Sequence, residues 1–354
     1  MSRAWARNPS LRSLPPSRRA ELTRFPAVVF LALAGAFLNT CRVSLAGTQN
    51  GVPTKAQEEA VAKAQAALAD AKSPAEKAAA AVDLGRAYYD EGEEKKAEDQ
   101  YNAALALDAN NAAAHLELGR VAWGQRHLDK AQAEFQQVMH LAPQAGAGYA
   151  AEGQLLAATS HAAQARPLLE KADALDDRDW ASRYQLALIL EDAGESGPAR
   201  ELLNEVIKLQ PDNMPAREQL ALDEFRHGDA ADALAEANAM LAQDPKSMGG
   251  HRIMALSFFK QRQYEASLAE CALALQDRPD AIEVLALQAV DLWALDRKKE
   301  ARRLVADLAR DRDLRAKLAN AETLCRWVVC GTQDIAVVSD FLHRNRDLLN
   351  PPLE

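Results

Sequence analysis

The amino-acid sequence predicts an all-α fold in which antiparallel helix pairs follow one another along the chain. Three observations support this prediction. Helix formers such as Ala, Leu, Glu and Gln dominate, whereas the 354 residues include only 16 Gly and 15 Pro. Stretches of β-branched residues long enough to build a sheet are hard to find. Small residues and prolines also recur at a fixed interval of 34 residues, which indicates a repeat architecture.

Residues 1–46 have the features of a bacterial secretory signal or an N-terminal anchor. An arginine-rich segment precedes an apolar run of 14 residues, Phe25 to Leu38, and a small-residue cleavage motif ends at Ala46. The run is shorter than the about 20 residues of a comfortable membrane span, yet an uncleaved anchor stays open. Lipidation at Cys41 is a third alternative, although the two residues before it fit poorly. We therefore expect an exported protein, either periplasmic, secreted or held at the membrane by this segment.

The charge distribution argues against nucleic acid as the partner. The formal net charge is −9, and residues 1–46 hold seven arginines against one glutamate, a net +6. The remaining chain therefore carries −15 and would repel a phosphate backbone. Contact with a membrane is expected only through the N-terminal segment, if that segment is not cleaved.

The residues before the repeats predict a short linker and one capping helix, together spanning 47–77. Residues 54–72 are amphipathic and open with the capping-box spacing Thr54-x-x-Gln57. A second box, Ser73-Pro74-Ala75-Glu76, has proline at the first helical position. The first helix of the first repeat is thus expected to start ahead of the repeat frame.

Seven 34-residue copies run without insertion from residue 78 to residue 315. Their eighth and twentieth residues are small, because two helices approach closely where they cross. A proline at the thirty-second position of several copies blocks continuation of the second helix. The copies begin at 78, 112, 146, 180, 214, 248 and 282; the eighth residues are Gly85, Gly119, Gly153, Ala187, Ala221, Ala255 and Ala289; the prolines are Pro143, Pro211, Pro245 and Pro279.

These copies closely resemble the tetratricopeptide repeat (TPR). The first reads Leu84-Gly85-x-x-Tyr88…Ala97…Tyr101…Ala104, and the second reads Leu118-Gly119…Ala131…Phe135…Pro143. The third and seventh depart from the pattern, since Glu152 and Gln288 replace an apolar seventh residue. The resemblance implies a right-handed superhelical solenoid with a concave groove that binds other proteins. Residues 316–354 are expected to form a degenerate eighth copy and a C-terminal capping helix.

No residue pattern in the chain indicates a catalytic centre, a metal site or a cofactor. The chain has no phosphate-binding Gly-rich loop, no paired-His zinc signature and no Cys-x-x-Cys motif, and its seven histidines are dispersed. Cys325 and Cys330 can form a disulfide only if a helix ends between them, because five helical residues turn them about 140° apart. Cys271 is expected in the core. We therefore expect a protein that is not an enzyme.

The resemblance places ligand contacts at positions 2, 5, 9, 12 and 13 of each first helix. Position 12 is aromatic in most copies, and aromatic side chains are frequent binding hot spots. Position 9 is Arg in the first two copies, and such a pair can clasp a carboxylate, for example a partner's C-terminus. The predicted peptide-binding residues are Arg86, Tyr89, Arg120, Trp123, Gln154, Glu191, Phe225, Phe259 and Trp293.

Both features have an alternative interpretation. An aromatic stripe at this spacing is more often part of the core than of a ligand site. The arginines can instead pair with nearby acids such as Asp83 or Glu117.

The leading hypothesis is a non-catalytic scaffold or adaptor of the cell envelope. It binds a peptide or helical segment of another envelope protein, for instance during assembly of a membrane complex. One alternative is a self-associating structural solenoid without a groove ligand. The other is a carbohydrate-binding or enzymatic accessory protein.

Overall fold

The computed structural model describes residues 53–227, 230–310 and 334–349. Within these ranges the chain forms seventeen α-helices and no β-strand, which confirms the predicted all-α fold. The predicted secretory signal or anchor of residues 1–46, Cys41, the Cys325–Cys330 pair and the first part of the expected eighth copy lie outside the described residues.

The helices follow the 34-residue frame. Helix α1 spans Lys55–Asp70. The first helix of each repeat, called the A helix, is α2 (Pro74–Asp90), α4 (Ala112–Gly124), α6 (Gly146–Ala158), α8 (Trp180–Asp192), α10 (Met214–His227), α12 (Met248–Lys260) or α14 (Ile282–Ala294). The second, called the B helix, is α3 (Glu94–Leu107), α5 (Leu128–Leu141), α7 (Ala162–Leu175), α9 (Ser196–Leu209), α11 (Ala230–Gln243), α13 (Tyr264–Asp277) or α15 (Lys298–Leu308). Helices α16 (Asp334–Arg344) and α17 (Arg346–Leu349) follow.

The first two helices begin at the capping boxes that the sequence predicts. Thr54 accepts a hydrogen bond from the Gln57 N–H, and the Gln57 side chain accepts one from the Thr54 N–H at 2.8 Å. Ser73 and Glu76 form the same reciprocal pair. Pro74 is the first residue of α2, where its missing N–H has no helical partner to lose. Helix α2 therefore starts four residues ahead of the frame.

Each described turn between an A helix and its B helix passes through one left-handed residue, the fifteenth of the repeat. In the second repeat Arg126 has φ 65°, and the His127 N–H donates to the Ala122 carbonyl oxygen at 2.8 Å. This is the hydrogen-bond pattern of a Schellman motif, which satisfies the last carbonyl groups of the helix. The left-handed residues are Gly92, Arg126, Ser160, Gly194, Arg262 and Asp296.

The small eighth residue of a repeat makes room for a large residue of the B helix. Gly119 faces Phe135, which is fully buried, and a Cβ atom added at Gly119 would overlap the Phe135 ring. Gly85 faces Tyr101 in the same way. The close approach that the sequence predicts at this position is therefore present.

The chain divides after Glu195 into two compact units. In the first unit α2, α4, α6 and α8 contact one another in order, while α3, α5 and α7 each pack between consecutive A helices. In the second unit α10, α12 and α14 form the same kind of layer. Helix α16 packs on α14 and α17 packs on α15, so Val338, Phe341 and Leu349 join the core of this unit.

Candidate functional site

The A helices α2, α4 and α6 of the first unit leave frame positions 9 and 13 accessible, and position 2 is also accessible on α2 and α6. Position 5, which the resemblance places in the groove, is buried on α2, α4 and α6. We call the accessible residues the A-helix face of the first unit. They are Ala79, Arg86 and Asp90 on α2, Arg120 and Gly124 on α4, and Ala147, Gln154 and Ala158 on α6.

Arg86 and Arg120 are held by one buried carboxylate on this face. The Glu117 side chain is only 9% exposed, and its Oε1 accepts from Arg86 Nε at 2.9 Å and from Arg120 NH1 at 3.2 Å. Arg86 NH1 also lies 3.3 Å from Asp83 Oδ1. The pairing of the arginines with nearby acids, which the sequence left as an alternative, is therefore present.

The same arrangement leaves donors on both arginines for a ligand. The Arg86 and Arg120 side chains are 46% and 54% exposed. A guanidinium has five N–H donors, and in the described contacts Arg120 donates through NH1 alone. Because Glu117 orients both groups beforehand, a second carboxylate could bind without ordering two free side chains.

The predicted aromatic row is mostly buried. Phe225 and Phe259 are each 1% exposed, and Trp123 and Trp293 are 8% and 7% exposed. Trp123 packs edge-on against Phe135 of its own repeat at 6.5 Å between ring centroids. Tyr89 is half-buried and is the member of the row that a ligand can reach most readily.

Other predicted binding residues lie farther along the A helices of the first unit. Gln154 is half-buried, and its Nε2 lies 3.4 Å from Ser182 Oγ. Glu191 on α8 is half-buried as well. The first unit thus brings together Arg86, Tyr89 and Arg120 near its N-terminal end, with Gln154 and Glu191 on later helices.

Trp293 is covered by the C-terminal helix of the second unit. Its indole N–H donates to Asp340 Oδ2 at 2.8 Å, and its ring packs edge-on against Phe341 at 5.8 Å between centroids. This hydrogen bond is the main reason that the pKa of Asp340 lies below its usual value. A shallow surface pocket of about 370 Å³ beside the ring is lined by Trp293, Ala294, Asp296, Lys298, Val337 and Asp340.

Comparison with known families identifies the repeats. Models described as a TPR repeat or a tetratricopeptide repeat match residues 85–125, 181–213 and 218–284. The chain is a tetratricopeptide repeat protein. No protein of curated function matches the sequence significantly.

Solved structures show the same TPR fold at low sequence identity. PilW, a widely conserved type IV pilus biogenesis factor, is 19% identical with a TM-score of 0.50, and the match covers 58% of this chain and 94% of PilW. Pseudomonas aeruginosa PilF is 18% identical with a TM-score of 0.49, covering 56% and 90% of the two chains. YrrB, a TPR protein with an unusual peptide-binding site, is 20% identical with a TM-score of 0.46, covering 56% and 97%.

TPR proteins are typically non-catalytic scaffolds. In the part of this TPR chain that the structure describes, no three His, Cys, Asp or Glu side chains come together as a metal site would require. The described helices likewise include none that is both long and apolar enough to cross a membrane.

The TPR core of the second unit contains buried acids that sequence reasoning missed. Asp291 is fully buried, accepts from Ser267 Oγ at 2.6 Å, and has a pKa raised to about 8 by burial. Asp223 is also fully buried and pairs with Arg200 Nε at 2.8 Å. A signal was present, because the tenth residue of the repeat is apolar in the first unit but polar in the second. It is Ala87, Val121, Leu155 and Ile189 in the first, and Asp223, Ser257 and Asp291 in the second.

Proposed function

We propose that this TPR protein is a non-catalytic interaction scaffold that binds a carboxylate-bearing peptide segment on the A-helix face of its first unit. The observation that carries the proposal is the exposed Arg86–Arg120 pair on the buried Glu117. Charge-assisted bonds from guanidinium groups to a carboxylate are both strong and directional. Tyr89 supplies an adjacent aromatic surface, and Gln154 and Glu191 offer polar contacts to later residues of the peptide.

The buried aromatic residues have a different part in this proposal. Trp123, Phe225, Phe259 and Trp293 stabilise the scaffold on which the peptide lies, because residues with so little exposed surface have little left to offer a ligand. A rigid scaffold favours capture, since most of the ordering cost then falls on the ligand.

We further propose that the scaffold works in the cell envelope and assists assembly of a membrane complex. Two observations support this: the secretory features of residues 1–46, and the fold shared with PilW, which is a pilus biogenesis factor. Fusion of residues 1–46 to a reporter that is active only after export tests the location. A reporter that stays inactive, while a known export signal activates it, would refute the envelope assignment.

Binding is tested with an N-terminally immobilised library of decapeptides, prepared once with free carboxyl ends and once amidated. The variant is Arg86→Gln, Glu117→Gln and Arg120→Gln together, which removes the arginines without leaving a buried, unpaired carboxylate. The control is Arg166→Gln, which removes a partly exposed arginine of α7 that pairs with Glu170 and Glu195.

Wild type and the control are expected to retain free-acid peptides, and the triple variant is expected to lose them. Equal retention by the triple variant, at unchanged helicity and melting temperature, would exclude the arginine pair as the site. Equal retention of the free-acid and amidated peptides would argue against recognition of a terminal carboxylate. Retention of peptides with and without acidic side chains would then be compared.

A further inference from the structure

Five consecutive repeat junctions share one hydrogen bond. The fourth residue of a repeat donates to the carbonyl oxygen six residues earlier, in the turn that joins it to the preceding repeat, at 2.8–3.4 Å. The donors are His115, Tyr149, Arg183, Arg217 and His251, so the position is kept while the residue type changes. We call each of these contacts a junction staple.

In three of the staples the same side chain also binds a carboxylate of its own repeat's B helix. His115 Nδ1 lies 2.6 Å from Glu134, and His251 Nδ1 lies 2.7 Å from Glu270. Arg217 NH1 contacts Glu236 in the corresponding place. One side chain therefore ties the turn to both helices of the following repeat.

The histidine staples differ chemically from the Arg217 staple. Arg217 is always protonated and has donors for both bonds. A neutral imidazole carries one N–H, whereas the acceptors at His115 and His251 lie at both ring nitrogens: a carboxylate at Nδ1 and a carbonyl oxygen at Nε2. Only the imidazolium form donates to both at once.

Their surroundings make this difference consequential. The His115 and His251 side chains are only 14% and 10% exposed. Both bonds of His251 and the bond of His115 to Glu134 are part-buried, so water does not readily replace them, whereas the bond of His115 to the turn carbonyl oxygen is exposed. Glu134 is the charged group bonded to His115 and Glu270 the one bonded to His251, while the second acceptor of each ring is an uncharged carbonyl oxygen. Histidine also changes its charge near neutral pH.

We propose that the His115 and His251 junctions are proton-dependent couplings between repeats. With the imidazolium the turn is bound to both helices of the next repeat. With neutral imidazole one of the two bonds is lost, and the junction opens more often. The Arg217 junction keeps both bonds at either pH. Arg86 and Arg120 lie in the two repeats that the His115 junction joins. Protonation of His115 is therefore expected to hold the two arginines at a fixed distance from each other. This last point alone rests on the proposed function.

Hydrogen exchange of the full chain, read by mass spectrometry at about pH 5.5 and about pH 8 and corrected for intrinsic rates, tests the proposal. Peptides covering the turns at 108–111 and 244–247 report the two histidine junctions. The turn at 210–213, before Arg217, is the internal control. The matched variants are His115→Arg and His251→Arg, which install the side chain already present at residue 217.

At the histidine junctions we expect wild-type protection to fall about tenfold from the lower to the higher pH, the size of effect that a hydrogen bond to a charged group supports. The control turn is expected to show only the pH dependence shared by the whole second unit, such as that from Asp291, and the histidine junctions are expected to exceed it. Each variant is expected to match the control. A pH effect of equal size at all three turns, or one that survives the arginine substitution, overturns the proposal. The two sites are independent, so a variant that fails to fold at one leaves the other to decide.

Discussion

Replacement of Asp291 by Asn is expected to stabilise the second unit above about pH 5. Burial raises the pKa of Asp291 to about 8 from its ordinary 3.8, although the Ser267 hydroxyl bond opposes that shift. When the pKa of an acid is higher in the folded than in the unfolded protein, the acid does not affect stability at a pH below its pKa in the unfolded protein. As the pH rises from that pKa to the pKa in the folded protein, the folded protein loses stability. Each pH unit in this interval costs at most about 1.4 kcal/mol. At pH 7 the total penalty is therefore up to about 4 kcal/mol.

The asparagine of the Asp291→Asn variant would keep an oxygen for the Ser267 hydroxyl and could not ionise, so the substitution removes this penalty while preserving the shape of the site. Urea unfolding followed by far-UV circular dichroism between pH 4 and pH 9 measures the difference between the two proteins. We expect the curves to coincide near pH 4 and to diverge up to about pH 8, with the variant the more stable. Asp277→Asn, at the exposed end of α13, is the matched control. Parallel curves for wild type and Asp291→Asn, or a less stable variant at pH 8, would refute the reasoning.

Four further substitutions test the helix packing and one of the turns. Gly119→Ala is expected to lower the free energy of unfolding by about 1–3 kcal/mol, because the added Cβ would overlap Phe135. Gly197→Ala is expected to raise it by up to about 1 kcal/mol, because no atom lies within 4 Å of the added Cβ. Equal effects of the two substitutions in urea unfolding would contradict this. Phe259→Ala is expected to lower the free energy of unfolding by about 3–5 kcal/mol, as for a core residue. An unchanged stability would mean that Phe259 is not a core residue and would make it a candidate for ligand binding again. Arg126→Gly is expected to gain about 1 kcal/mol, because glycine adopts φ 65° without strain, and a lower melting temperature would show that the Arg126 side chain contributes more than the strain costs.

The features of the fold that were predicted correctly from sequence are those encoded locally or repeated. The capping boxes at Thr54 and Ser73 involve residues three apart, and the small residue at position 8 recurs in every copy. Position 12 was ambiguous because an aromatic residue fits either a ligand surface or a packing seam at the same spacing. Its burial depends on residues distant in sequence, such as Phe341, which lies against Trp293.

The polar contacts were less accessible to sequence reasoning for a related reason. The polar tenth residue of the later repeats was a sequence signal for Asp291, but its hydrogen bond with Ser267, on another helix, followed only from the structure. The junction staples use His, Tyr and Arg in turn, so no single residue type marks their position. The arginine pair was found from sequence, but its dependence on one shared carboxylate followed only from the positions of α2 and α4.

The common left-handed turn at position 15 has a consequence for how such a chain can evolve. Glycine, arginine, serine and aspartate all occupy it with φ between 58° and 83°, so the path of the backbone is imposed by the packed helices and not by the turn residue. One repeat can then replace another without a change in the turn between its two helices. Accessible residues such as Arg86, Arg120 and Gln154 are free to diversify, while the buried positions preserve the frame. Duplication or loss of a whole copy would lengthen or shorten the accessible face in steps of one helix pair.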